Sequence, residues 1–494
     1  MKKAIISLIS GNLASKFLGL AREMIVAALF GTGYVNGAYR VAQTGTLVPV
    51  NFLVSDSLTA FIPLFKKFRS EDKDKAILFF WVMQAIFLIF SALLTVGAYL
   101  FVEQWINIIA PGLDQKTKSL SESMLLIMSL GISLYLSSAL INYIEMANDD
   151  FTPMSLRPSI QNIGMLIGAL FAYYLHNPLY LAWGFTIGYV FFFIWVLLRG
   201  LKARLITMPK AATMASVKEI ISCFWETIKP LIILPFAYQG NIAAERAVAT
   251  LISLTAISAL DYAKFINETL LLIVSTPVAL AGLVNWAGDS KEVLTAKLKK
   301  AMKTMLIISV PISIFIYLNS EMIVSILFAR GKFDQISIDS TANILRGMSI
   351  GLWANVVGYV LVKALTSQFK NRIVLIVMLC CIACNASFNL IFFKHYNEMT
   401  LGLGNSLYGV VMLILALSFL NLWGGVIELA ASIILTSLIY IALTLLIDSH
   451  TSIRMSFFIN SVFFIFFWTG CVLLIPSWRN LIVNAVNRNG KKEV

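Results

Sequence analysis

Residues 76–101 read AILFFWVMQAIFLIFSALLTVGAYLF, twenty-six positions without an Asp, Glu, Lys or Arg. Hydrocarbon offers no water to backbone N–H and C=O groups, so a stretch this apolar crosses a bilayer either as a helix of about 20 residues or within a closed barrel. A barrel strand would be roughly ten residues of alternating polarity. Residues 76–101 do not alternate, so they read as a spanning helix. The rest of the chain repeats the pattern: of 494 residues 59% are hydrophobic and 13% charged, with a mean hydropathy of +0.84. That leaves too little polar surface to cover a soluble globule, so the fold class is all-α and polytopic.

Apolar runs between charged or Pro/Gly breaks predict fourteen spans, at 4–29, 37–65, 76–101, 120–147, 153–175, 179–200, 219–250, 257–287, 301–319, 338–365, 371–393, 401–420, 424–447 and 456–477. Lys and Arg then fall almost entirely on alternate connections. The side holding the N-terminus collects 25, from Lys2 and Lys3 through the groups at 66–75, Arg157, 199–218, 291–303 and 363–372 to Lys492; the other side has 6. This positive-inside bias places both termini in the cytoplasm and requires an even number of spans. Met1, Lys2 and Lys3 lead into a run without a small-residue cleavage pattern, so the first helix is expected to be retained.

A weak repeat relates the two halves. The basic connections at 66–75 and 291–303 follow the second and eighth spans, and Gly112 with Asp114 matches Gly331 with Asp334 after the third and ninth. Six spans separate the matching features, which keeps the halves parallel. The expected organisation is a six-helix lobe over 1–210, a second over 211–421, and two extra C-terminal helices with a cytoplasmic tail over 422–494.

The net charge of +13 is spread over the connections and forms no single patch, which excludes nucleic acid as the natural partner. Cys380, Cys381 and Cys384 have no His within the neighbouring turns and read as packing residues, not zinc ligands. No His pair at ligand spacing, GxSxG elbow or GxxxxGK[ST] phosphate loop is present, so neither an enzyme nor a nucleotide-driven pump is expected.

The informative residues are charges inside spans, each costing about 2.5 to 3.5 kcal/mol at the bilayer centre unless it faces a partner or a wet cavity. They are Lys16, Arg22 and Glu23 in the first span, Arg40 and Asp56 in the second, Glu245 and Arg246 in the seventh, Asp261, Lys264 and Glu268 in the eighth, and Arg346 in the tenth. Clustering on the first two spans of each half suggests a cationic, water-filled cavity suited to a phosphorylated headgroup. The alternative is snorkelling to the interfaces, or local pairing of Arg22 with Glu23 and of Glu245 with Arg246.

Ser15-Lys16-Phe17-Leu18-Gly19-Leu20-Ala21-Arg22-Glu23, Phe30-Gly31-Thr32-Gly33 and Ala60-Phe61-Ile62-Pro63 together resemble the N-terminal signature of the MurJ (MviN) family of lipid II flippases. That family lies within the multidrug, oligosaccharidyl-lipid and polysaccharide exporter superfamily. Leu327-Phe328-Ala329-Arg330-Gly331-Lys332-Phe333 looks like its LFxRGxF segment, and Tyr262-Ala263 matches in the eighth span. The resemblance implies a V-shaped cavity between lobes, pyrophosphate held by arginines, alternating access, and a groove beside the last two helices for the polyprenyl tail. Arg22 matches a family arginine, Lys16 stands where arginine is usual, and Glu23 replaces an aspartate. Gly37 occupies an acidic position, the double arginine of the second helix falls near Val50 and Asn51, and Lys264-Phe265 replaces an Asp-Arg pair.

The charges inside spans and the resemblance together assign substrate binding to Lys16, Arg22, Glu23, Arg40, Arg246 and Lys264, with Arg40 an addition to the family's set. The resemblance assigns a sodium site to Glu245, Asn385, Asn389 and Asn405, with helix-to-helix hydrogen bonding of the asparagines as the alternative. The departures favour an undecaprenyl-diphosphate-linked capsule, exopolysaccharide or O-antigen unit as cargo, with lipid II, or a small molecule as in drug exporters, as alternatives. No cofactor is expected beyond a coupling Na+ or H+. The chain reads as a monomer of the bacterial inner membrane, working beside a polysaccharide polymerase or glycosyltransferases.

Overall fold

The computed structural model describes residues 2–209, 213–279, 286, 290–368, 370–448 and 453–481. Part of the predicted eighth span, the side chain of Asp56 and the basic tail with Arg488, Lys491 and Lys492 lie outside them. The described residues contain helices and no strand. The helices are α1 (Lys2–Phe30), α2 (Tyr34–Glu71), α3 (Lys73–Leu100), α4 (Val102–Ile109), α5 (Gln115–Ser129), α6 (Ile132–Ala147), α7 (Thr152–Tyr174), α8 (Leu179–Lys202) and α9 (Met214–Ile228). There follow α10 (Ile233–Ile252), α11 (Leu254–Val274), α12 (Lys291–Phe328), α13 (Gln335–Ser367), α14 (Asn371–Tyr396), α15 (Met399–Leu420), α16 (Trp423–Asp448) and α17 (Ile453–Leu474). As far as they are described, the predicted spans fall on these helices or on a bent pair. By length and apolarity alone nine described helices can cross a membrane, or eleven if each bent pair counts as one.

Three sequence expectations need correction. The stretch 120–147 is broken into α5 and α6, which meet at 42°, and 219–250 into α9 and α10 at 64°. The second break, over 229–232, contains Pro230, and a proline lacks the N–H that would continue the helix. The basic connections at 66–75 and 291–303 are largely helical: α2 runs on through Lys66, Lys67 and Arg69, and α12 starts at Lys291. Lys and Arg are good helix formers, and beyond the hydrocarbon their charge is solvated, so nothing stops the helix at the membrane edge. Finally, Arg157 lies within the second turn of α7, not in a connection.

Contacts divide the chain into two compact units, Met1–Ser258 with Phe328–Ser337, and Ala259–Leu327 with Ile338–Val494. Contact density thus draws the line elsewhere than the repeat does, since α9 and α10 join the first unit. Within that unit α7 and α8 press backbone on backbone. A Cβ at Gly168 would stand 2.6 Å from the Gly184 Cα, and one at Gly164 2.7 Å from the Gly188 Cα. Between helices in lipid there is no hydrophobic drive, so close backbone approach across small residues supplies the cohesion. Phe61, Phe79 and Tyr143 pack a second seam, with the Phe61 and Phe79 ring centroids 4.8 Å apart and the Tyr143 hydroxyl donating to the Val54 carbonyl at 2.9 Å.

The second unit uses the same device. Ser406 on α15 donates to the Gly347 carbonyl of α13 at 2.5 Å and accepts from the Gly351 N–H at 2.7 Å. Asn319 breaks helical geometry inside α12, donating to the Phe315 carbonyl at 2.9 Å and accepting from Asn460 of α17 at 3.3 Å.

The repeated Gly and Asp positions have repeated roles. Asp114 caps α5, accepting from the Thr117 N–H at 3.2 Å and its hydroxyl at 2.5 Å. Asp334 caps α13, accepting from the Ser337 N–H at 2.9 Å and its hydroxyl at 2.7 Å. The Ser337 hydroxyl, seconded by its N–H, holds the Asp334 carboxyl below the usual carboxylate range. Both glycines lodge against the carbonyl end of another helix: a side chain at Gly112 would strike the Thr250 carbonyl of α10, and one at Gly331 the Ala28 carbonyl of α1. Gly331 has φ +59°, which glycine adopts without strain, and Lys332 N–H donates to Ala28 at 2.8 Å.

Candidate functional site

Helix α1 meets α7 along its length, and α2 begins after the turn at Gly31, so the first turns of α2 face the middle of α1. That geometry gathers three of the predicted residues. Glu23 is ion-paired with both Arg22 and Arg40. Arg40 Nη1 donates to Glu23 Oε1 at 3.2 Å and its Nε to Asn36 Oδ1 at 3.2 Å, while Asn36 ties back to the Gly31 carbonyl at 2.6 Å. Arg22 Nη1 donates to Asn162 Oδ1 of α7 at 2.9 Å, and Asn162 donates to the Ser15 carbonyl at 3.2 Å. Glu23 is 3% exposed and Arg40 4%, so snorkelling is ruled out for this group. The expected Arg22 to Glu23 pairing is real, but it is half of a triad that retains one net positive charge.

A hydroxyl extends the group. Thr44, one turn beyond Arg40, donates to the Arg40 carbonyl at 2.9 Å and accepts from Arg246 Nε of α10 at 3.1 Å. Arg246 also donates to the Ile257 carbonyl at 2.5 Å. Beside it Glu245, 4% exposed, accepts from Asn241 at 3.3 Å. Lys16 lies half-buried on α1, about 9 Å along the axis from Arg22. Lys264 is half-buried on α11 and belongs to the second unit, where Asp261, Lys264 and Glu268 follow the i, i+3, i+7 spacing of one helix face. Arg346 of α13 pairs with Glu321 of α12 at 3.6 Å.

The asparagines form their own group in the second unit. Asn389 donates to Asn385 Oδ1 at 2.7 Å along α14, and α15 closes on both at Gly404. Asn405 Oδ1 accepts from Asn355 at 3.3 Å and Asn267 at 3.4 Å, so amide bonding between helices occurs here. The Oδ1 of Asn389 is buried without a hydrogen-bond partner.

Two features were not placed by the residues themselves, although the resemblance implied a groove beside the last two helices. An apolar cavity of about 690 Å³ opens among α12, α13 and α16, walled by residues such as Leu306, Ile314, Tyr317, Trp353, Ile433 and Leu438. Its signal was the apolar character of three helices, which does not say which faces meet. Arg157 was the other, hidden because it stands only five residues beyond the start of α7.

A family model described as "Lipid II flippase MurJ" matches residues 26–470. The chain is 25% identical over 378 residues to the "Probable lipid II flippase MurJ" of Buchnera aphidicola subsp. Acyrthosiphon pisum, covering 74% of this chain and 72% of that protein. It is 26% identical over 352 residues to the protein of the same description from Thermotoga maritima, covering 69% of each. Among solved structures, a lipid II flippase MurJ in an inward closed conformation shares the fold with a TM-score of 0.84 at 22% identity, over 97% of this chain and all of that one. An inward-facing multidrug transporter of the MATE family aligns with a TM-score of 0.66 at 14% identity, over 87% of this chain and 98% of the other.

Proposed function

Because the chain belongs to the MurJ family of lipid II flippases, we propose that it carries lipid II from the inner to the outer leaflet of the cytoplasmic membrane, for peptidoglycan synthesis. This reverses the ranking drawn from sequence, which put a capsule, exopolysaccharide or O-antigen unit first because the double arginine near Val50 and Asn51 is missing. The family match over 26–470 and the lipid II flippases among the relatives favour lipid II instead. A cation ten residues earlier on the same helix, Arg40, supplies the charge that α2 lacks there.

The observation that carries the reading is the buried triad of Arg22, Glu23 and Arg40 with its surplus positive charge, adjoined by Arg246. A permanent internal carboxylate keeps the two guanidinium groups tolerable in a low-dielectric interior, yet does not neutralise them. A pyrophosphate then completes the charge balance through bidentate contacts with guanidinium N–H groups. Alternate exposure of this cluster to the two faces of the membrane moves the headgroup. An inside-negative potential favours outward passage of an anion by about 2.3 kcal/mol per charge per 100 mV. The apolar cavity beside α16 is the natural lodging for part of the polyprenyl tail.

The test is expression in a bacterium depleted of its own lipid II flippase. Restored growth and septation are expected; no rescue, with a different lipid-linked sugar accumulating when the native gene is deleted, would overturn the lipid II assignment. We further assign Glu245 to binding a coupling cation, since it is a buried carboxylate of α10 at the position to which the resemblance gives the ion site. Glu245→Gln is expected to slow flipping at least tenfold and to erase dependence on sodium. Transport that ignores both the substitution and the replacement of sodium by choline removes the coupling role.

A further inference from the structure

Arg157 differs from the helical arginines that pair with carboxylates. Arg22 and Arg40 share Glu23, Arg199 meets Glu145 and Asp150, and Arg346 meets Glu321. Among the described residues no carboxylate pairs with Arg157, and its Nε has no hydrogen-bond partner. Its guanidinium lies 5.1 Å over the Tyr135 ring, with Tyr143 and Tyr189 as the other groups within electrostatic reach. All three tyrosines are at most 5% exposed. Gln161, one turn further along the same face of α7, has its side-chain amide near the Tyr189 hydroxyl.

The surroundings of Arg157 separate a binding role from snorkelling. Tyr135 precedes the end of α6 by twelve residues and Tyr189 the end of α8 by thirteen, about 18 and 20 Å inward along those helices, while Tyr143 stands four residues, about 6 Å, from the end of α6. Arg157 is five residues from the start of α7, at the same membrane side as those two helix ends. An arginine snorkelling to the headgroups would be solvated beyond that start; this one is held over the ring of the buried Tyr135 instead. Asn162, which holds Arg22, follows five residues later, about 7.5 Å along the axis. The residue as a whole is half-buried.

A guanidinium held among buried tyrosines, stacked on an aromatic ring and left without an internal counter-ion is arranged for an anion that comes and goes. We propose that Arg157, with Gln161, forms a second anion station in the first unit, taking a phosphoryl group of the polyprenyl-diphosphate lipid on the cytoplasmic side before it reaches Arg22 and Arg40. This rests on the lipid-diphosphate reading above and adds a residue that the recognised motifs do not contain.

The test measures binding of undecaprenyl diphosphate, which has no sugar, to the purified full-length protein, with uncharged undecaprenol as control. Arg157→Met is expected to weaken the diphosphate at least tenfold, Arg157→Lys to stay within threefold of the parent, and undecaprenol to bind all three alike. In the unaltered protein, undecaprenyl diphosphate but not undecaprenol should protect Arg157 from phenylglyoxal, read at that residue by mass spectrometry, so the test survives a variant that fails to fold. Unchanged affinity in Arg157→Met, or modification of Arg157 at the same rate with the lipid bound, would reduce the residue to packing on Tyr135. If the parent protein ignores undecaprenyl diphosphate altogether, the lipid-diphosphate function falls along with the station.

Discussion

Arg22→Ala should lower lipid flipping at least a hundredfold while leaving membrane insertion and folding intact. The reason is arithmetic within the triad. Removing Arg22 leaves Glu23 paired with Arg40, so no buried charge is stranded, but the surplus positive charge disappears and with it the attraction for a pyrophosphate. Glu23→Ala makes the opposite error: two guanidinium groups lose their shared carboxylate, and stranding charge in this way costs roughly 3 to 5 kcal/mol. Arg22→Ala should therefore express at parental levels and fail in transport, whereas Glu23→Ala should be lost from the membrane. Reconstituted vesicles measure the first and quantitative immunoblots the second; full transport by Arg22→Ala would remove the anchor from the mechanism.

Gly331→Val should be nearly as damaging for a different reason. The position has φ +59°, costing a branched residue about 1 to 3 kcal/mol. The new side chain would also run into the Ala28 carbonyl that Lys332 N–H now engages, an overpacking term of typically 1 to 3 kcal/mol. A loss of about 2 to 6 kcal/mol is expected, seen as a melting temperature lower by roughly 2 to 6 °C and flipping reduced about tenfold. Gly470→Val is the control, since nothing lies within 4 Å of the Cβ it would gain. Equal behaviour of the two variants would show that the loop does not depend on its seat against α1.

The helices were legible because burial in lipid leaves a one-dimensional trace: an apolar run between solvated charges. The repeated Asp114 and Asp334 were legible too, since a cap acts within three residues of itself. Glu23 could be picked out as an improbable buried charge, but its tie to Arg40 spans 17 residues and depends on how the turn at Gly31 folds α2 back. The bends resisted reading. Leu130 and Gly131 interrupt an apolar run without a proline, and only the tertiary setting decides whether such a place turns. Arg157 was misplaced because counting cations by connection cannot tell a side chain solvated beyond a helix start from one held among buried tyrosines. The asparagines were visible as residues but ambiguous as chemistry, since an amide serves a cation or another amide with the same oxygen.

Where α7 and α8 touch through four glycines, there are no side chains to act as bearings, so neither helix can slide along the other without opening a gap. They must travel as one slab. Asn162, which grips Arg22, and Arg157, stacked on its tyrosine, are mounted on that slab, and their spacing is as constant as the helix itself. Any deformation that accompanies turnover is thereby exported to softer joints such as the bends at 130–131 and 229–232, and a pathogen or engineer seeking to jam the machine would do best to stiffen those.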